Sequence, residues 1–193
     1  MIKMTQEEVN EAIRLHSLWL KDSTNGKQAN FSGKDLSGLD LSDANLKGAY
    51  FSGANFSGTN LRGTNLSGAD LSDADLSDAG FSGANLSDAN LSNTNLSSAD
   101  LSDADLSDAN LEGANLSNTN LYNAYLSGAD LSCANLYHTN FRGTDLRNAN
   151  FSDADLRGAN LRGADCEGVM WYKAIYDSKT VFPDFKDSMI LKD

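Results

Sequence analysis

The 193-residue chain has one proline (Pro183), two cysteines (Cys133 and Cys166), two histidines (His16 and His138) and only 8% aromatic residues. Two cysteines are too few for a disulfide scaffold, and without paired histidines they make no zinc site, so no metal or other cofactor is expected. No apolar run approaches the ~18–20 residues of a spanning helix, and the first residues, Met1 to Glu8, do not read as a secretory leader. A cytoplasmic protein that does not enter membranes is the expectation. Positive charge is missing over a long stretch. From Gly63 to Phe141 there is no Lys or Arg, while Asp70, Asp73, Asp75, Asp78, Asp88, Asp100, Asp103, Asp105, Asp108, Glu112 and Asp130 all fall there. The whole chain carries a net charge of −12. Such a balance excludes direct nucleic-acid binding by phosphate neutralisation and argues against an anionic membrane surface.

What the chain does have is a repeat. A large apolar residue recurs every fifth position from Phe31 through Leu36 and Leu41 to Leu156, Leu161 and Cys166, giving 28 consecutive units without insertion or deletion. We call this residue the centre. The small position, two before it, is Ala in 20 units and Thr in six. The outer position, one before, is usually Asp or Asn. The serine position follows the centre, and the turn position after it is Gly, Asp or Asn. Of the 16 glycines, 14 stand at the turn position, Gly26 and Gly80 being the exceptions.

A period of five fits neither a helix nor a long strand. Within each unit the small residue and the centre alternate inward with a polar residue outward, which reads as a very short strand. The turn position then demands residues that tolerate positive φ. A chain that turns in the same sense 28 times coils as an all-β solenoid. Equivalent small and large side chains stack from coil to coil.

Units such as Ala69-Asp70-Leu71-Ser72-Asp73 and Ala114-Asn115-Leu116-Ser117-Asn118 resemble the pentapeptide-repeat family, over residues 29–168. The resemblance implies a right-handed quadrilateral β-helix with four units, hence 20 residues, per coil and about seven coils. In that register Asn120, Asn140 and Asn160 form one outer ladder, and Tyr122, Arg142 and Arg162 another. Solenoid ends need caps. Thr5 to Glu8 reads as a capping box, with Val9, Ala12, Ile13, His16 and Leu20 on one helical face, so residues 5–21 are expected to form a short α-helical cap. The expected organisation is residues 1–28 as helical cap and loop, 29–168 as β-helix, and 169–193 as C-terminal cap with a bend at Pro183. The caps also resemble those of cyanobacterial-type members.

Catalysis needs a convergent set of unlike groups, and none is legible, so no catalytic residue is assigned and no enzyme is expected. His16 falls on the apolar face of the cap helix and His138 on a turn position. Serines and paired carboxylates arise from the repeat itself. Two surface features remain. The acidic belt, Asp70, Asp73, Asp75, Asp78, Asp88, Asp100, Asp103, Asp105 and Asp108 among it, places about one charge per ~1.7 Å along some four coils, close to duplex DNA. Some members of the family resemble DNA in this way and occupy type II topoisomerases such as gyrase; those relatives dimerise through the C-terminal end. The second feature is a Tyr/Arg cluster, Tyr122, Arg142, Arg162, Tyr137 and Arg157, with Tyr125 and Arg147 nearby. Tyr and Arg are enriched in binding hot spots. The expectation is a rigid protein–protein interaction module with an unidentified protein partner, with DNA mimicry as the alternative. The chain itself is expected to be a monomer or a weak dimer through an end cap.

Overall fold

The computed structural model describes residues 1–183. It contains a two-residue strand β1 (Ile2–Lys3), a helix α1 (Gln6–Lys21) and a two-residue strand β2 (Lys34–Asp35), β1 and β2 pairing in parallel. Beyond them the described residues form 27 isolated parallel bridges, from Asn30↔Tyr50 to Asn160↔Val181. All but the last join residues 20 apart. The β structure of the repeats is therefore single-residue bridges and not continuous strands, because each unit offers one outer residue between two turns. Four columns of units result, with centres starting at Phe31, Leu36, Leu41 and Leu46.

Each backbone N–H of the unit Ala104-Asp105-Leu106-Ser107-Asp108 has a defined partner. Leu106 donates to Tyr125 O (2.7 Å) and Asp108 to Ser127 O (2.9 Å) in the next coil, and Asp105 donates to Ala84 O (2.9 Å) in the previous one. The Ala104 N–H closes the preceding turn onto Leu101 O (3.2 Å). Only the serine-position N–H finds no backbone acceptor, and Ser107 donates instead to the side-chain Oδ1 of Asp105 (3.0 Å). Wherever the outer position is Asp or Asn this same bond forms, as at Asn30, Asp70 and Asn160. Pairing that amide is the local reason for Asp or Asn there.

The turn position is left-handed in every unit. Fourteen non-glycine residues hold φ of 55–61° and fourteen glycines hold 63–72°. Asp and Asn visit this region cheaply; Ser98, Cys133 and His138 do so without that help.

Inside, the centres from Phe31 to Leu161 are at most 1% exposed. The six threonines at the small position are buried yet satisfied. Thr59, for example, donates to Leu36 O (2.9 Å) and Thr119 to Leu96 O (2.7 Å). Aromatic centres cluster towards the ends, Phe31 stacking on Phe51 at 5.4 Å and Phe151 on Trp171 at 5.0 Å.

The first coil would present open strand edges, and the N-terminal segment closes them. α1 is capped by Thr5 through its capping box with Glu8 and seats Val9 and His16, both buried, over the coil. Ile2–Lys3 supplies a bridging strand to Lys34–Asp35. The Gln6 carboxamide acts as a peptide unit, accepting from Asp40 N (2.9 Å) and donating to Asp40 O (2.7 Å). Gln28 donates to Gly48 O (2.7 Å). At the other end, bridges continue through Met170 and Ile175 to Val181, where one extra residue breaks the five-residue register. Pro183 stands two residues after Val181; residues 184–193 of the expected C-terminal cap lie outside the described residues.

Candidate interaction surfaces

The bridge series Asp100↔Asn120↔Asn140↔Asn160 places Tyr122, Arg142 and Arg162 one coil apart at successive serine positions of the third column. Their backbones are held from below. Asn120, Asn140 and Asn160 accept from the N–H of Tyr122 (3.3 Å), Arg142 (3.3 Å) and Arg162 (3.1 Å). Asn140 also donates to Asn120 Oδ1 (2.8 Å), and Asn120 to Asp100 Oδ1 (2.9 Å). A hydrogen-bonded ladder thus carries three exposed side chains. Among the described residues neither Arg142 nor Arg162 makes an ion pair.

Tyr137 and Arg157 stack in the neighbouring second column, not in the same one. The Arg157 guanidinium lies 2.6 Å from the Asp155 carboxylate, which holds that carboxyl below its ordinary range. Its charge is already partnered. Tyr137 packs edge-on against His138 at 4.1 Å between ring centres. The His138 ring in turn covers Gly158, where an added Cβ would lie 2.8 Å from ring atoms. His138 is an exposed turn residue with no catalytic neighbour set. Tyr125 stands at an outer position of the fourth column between Asp105 and Asp145.

The acidic belt divides by position. Asp70, Asp75, Asp100 and Asp105 are outer residues whose carboxylates accept the serine-position N–H. Asp73, Asp78, Asp88, Asp103 and Asp108 are exposed turn residues in the left-handed region. Both kinds have a local backbone reason that the sequence did not disclose for the outer set. The belt spans all four columns. Outer aspartates stack directly on one another at one bridge alone, Asp145↔Asp165, and there Arg147 contacts both carboxylates, at 2.6 and 3.8 Å. Elsewhere an Asn, Gly, Tyr or apolar residue separates them.

His16 does more than pack. Its Nδ1 accepts from Ala29 N (3.1 Å) while Nε2 faces Lys47 O (3.2 Å), so the neutral ring with its proton on Nε2 clamps α1 to the first coil. Burial pushes its pKa down. Cys166 is buried and its thiol is pushed up to about 12 by desolvation, whereas Cys133 is exposed. Among the described residues no group of three or more His, Cys, Asp or Glu side chains is placed to hold a metal ion, and no helix is long and apolar enough to cross a membrane. A surface depression of about 460 Å³ is lined by Ser42, Asp43, Asn60, Arg62, Gly63 and Ser82, again a repeat surface and no catalytic assembly.

Comparison with known proteins gives a consistent picture. The chain is similar to a pentapeptide repeat protein (alr5209) from Nostoc, with 32% identity, 59% of this chain and 82% of that one covered, and a TM-score of 0.46. It is similar to HetL of Nostoc, a pentapeptide repeat protein involved in heterocyst differentiation regulation, with 29% identity, coverage of 89% and 96%, and a TM-score of 0.27. QnrB1, a plasmid-mediated fluoroquinolone resistance protein, shows 21% identity, coverage of 75% and 94%, and a TM-score of 0.41. No curated protein matches. The profile of pentapeptide repeats matches residues 27–58, 40–78, 74–113, 109–148 and 149–170, in eight copies, and with the 20-residue bridge register this shows that the chain belongs to the pentapeptide-repeat family.

Proposed function

We propose that this pentapeptide-repeat protein is a non-enzymatic, rigid interaction module. Its coil is read as the right-handed quadrilateral β-helix that family membership implies. The single observation that carries the reading is the column Tyr122, Arg142 and Arg162: exposed side chains on a hydrogen-bonded Asn ladder, with two guanidinium groups that the described chain leaves unpaired. A fixed surface loses little conformational entropy on docking, and Arg and Tyr are residue types that anchor interfaces. The partner is a protein. Arg142→Ala is expected to release that partner from the immobilised chain without moving the thermal melt, because the Asn140 bond to residue 142 uses the backbone. Undiminished retention by that variant refutes the reading.

The acidic belt supports a second reading, DNA mimicry towards a type II topoisomerase, since 11 acids and no Lys or Arg lie between Gly63 and Phe141. Against it, the acids occur in all four columns and the outer ones serve the backbone. Stepped-salt elution separates the two: a topoisomerase subunit released at moderate salt supports mimicry, because exposed charge pairing is screened.

A further inference from the structure

Over the five coils from Gly80 to Arg162 the third column has a charge order that is complementary to its own reverse. Counting along it, one coil is bare, with Gly80, Ser82 and Gly83. The next carries Asp100 and Asp103 on either side of Ser102. Tyr122 follows, then Arg142, then Arg162. We infer that two copies of this chain pack side by side and antiparallel through the third column, with the two-fold axis at Tyr122.

The register follows from the geometry. A two-fold lying in the contact plane and crossing the rods sets each serine position opposite a serine position, two coils below the axis meeting two coils above it. Tyr122 meets Tyr122 of the other copy. Arg142 meets Ser102, a small residue flanked by two exposed carboxylates. Arg162 meets Ser82 in the bare coil, where both neighbours are glycine.

Gly80 is the independent sign that something outside the chain uses this surface. Of the 28 outer positions it alone is glycine. Its φ is not left-handed, and a Cβ there would meet no atom within 4 Å. Nothing inside the chain needs it, and it removes the side chain that would hold Ser82 N–H. What it does provide is room near the Ser82 position that faces Arg162, a long projecting side chain.

Five coils at about 4.8 Å make a strip about 24 Å long and about 10 Å wide. That is about 240 Å², far short of the ~800 Å² per partner of a stable complex, so the dimer is weak and strongly salt-dependent. The inference rests on the reading of this column as a docking surface and names its occupant as a second copy.

Sedimentation equilibrium of the full chain, from about 10 µM to about 1 mM and at about 20 and 500 mM salt, tests it. The expected result is a monomer–dimer equilibrium weakened at least about tenfold by the higher salt. Arg142→Glu alone, or Asp100→Asn with Asp103→Lys, should each abolish it, and an equimolar mixture of the two variants should restore it. Gly80→Tyr should also weaken it; Tyr50 and Tyr125 show that the outer position accepts this residue. Circular-dichroism melts check that each variant is folded. A monomer at every concentration overturns the inference, as does a dimer indifferent to Arg142→Glu, which is what contact through an end cap would give. A mixture that stays monomeric overturns it too. If the chain is monomeric yet still retains another protein through Arg142, the second copy is excluded and the docking reading stands.

Discussion

Asn95 sits between Asp75 and Asn115 in one outer ladder, and replacing it by Asp isolates the rule that separates stacked aspartates. Asn95 donates to Asp75 Oδ1 (3.0 Å) and accepts from Ser97 N (3.3 Å), Ser97 Oγ (2.8 Å) and Asn115 Nδ2 (3.1 Å). Asn95→Asp keeps the three accepted bonds and destroys the donated one. It also sets two carboxylates one coil apart, about 4.8 Å, a repulsion of about 1 kcal/mol in water and about 3.5 kcal/mol at an effective dielectric constant of 20. Adding a lost bond to a charged acceptor, and subtracting the stronger bond from Asn115, gives a net loss of about 1.5–3 kcal/mol. Asn115→Asp is the control. Its neighbours Asn95 and Asn135 are both neutral, and Asn135 already donates to it (3.0 Å), so its cost stays within about 0.5 kcal/mol. Urea unfolding followed by circular dichroism measures both. The Asn95→Asp deficit should shrink in high salt and close as the pH falls through the carboxylate range, where a protonated Asp can donate again. Equal losses in the two variants, or a deficit blind to salt and pH, refute the reasoning.

Three further outcomes follow from the same contacts. Arg147→Gln should modestly destabilise the chain at neutral pH, because Arg147 holds the Asp145 carboxyl below its ordinary range. A depressed carboxyl stabilises above its unfolded pKa, so this deficit should fade as acid protonates Asp145, and urea midpoints across pH check it. For His16 the folded pKa is depressed, so its contribution is present above the ordinary histidine pKa and lost as the pH falls from there; Trp19, stacked on it at 5.5 Å, should report cap release by fluorescence, and His16→Gln should flatten that titration. Leu101→Asp puts a charge where exposure is 0% and should cost well over about 4 kcal/mol, abolishing the thermal transition, whereas a melt like that of the parent chain contradicts the inward placement of the centres.

The five-residue pattern exposed the inward centres, the small position and the left-handed turn, because each is set by one residue's volume or φ. The 20-residue coil was only faintly legible, in the spacing of Asn120, Asn140 and Asn160, since it depends on how many turns close a circuit and no single unit encodes that. Sealing of the first coil was not legible beyond the helix. Gln6, Gln28 and the pair Ile2–Lys3 are unremarkable in sequence and acquire their roles only where edge groups of Lys34, Asp40 and Gly48 come within reach. For the surface, the sequence located the Tyr122, Arg142 and Arg162 column, whereas Tyr137 and Arg157 turned out to stack in the neighbouring column, with Arg157 tied to Asp155. The role of the outer aspartates was not legible, because a hydrogen bond to an amide two residues on leaves no mark in composition.

The side-chain bond from the outer residue to the serine-position amide has a consequence for how such a surface can change. At ten of the 28 serine positions another residue stands: Lys47, Arg62, Glu112, Tyr122, Tyr137, Arg142, Arg147, Arg157, Arg162 and Glu167. All ten keep the bond, at 3.0–3.3 Å. Because the amide and not the side chain is what the fold consumes, one letter in five is left unconstrained. The rod is then a printed grid, with a writable cell on each side at every rise of about 4.8 Å, and new specificities can be typed onto it without renegotiating the scaffold.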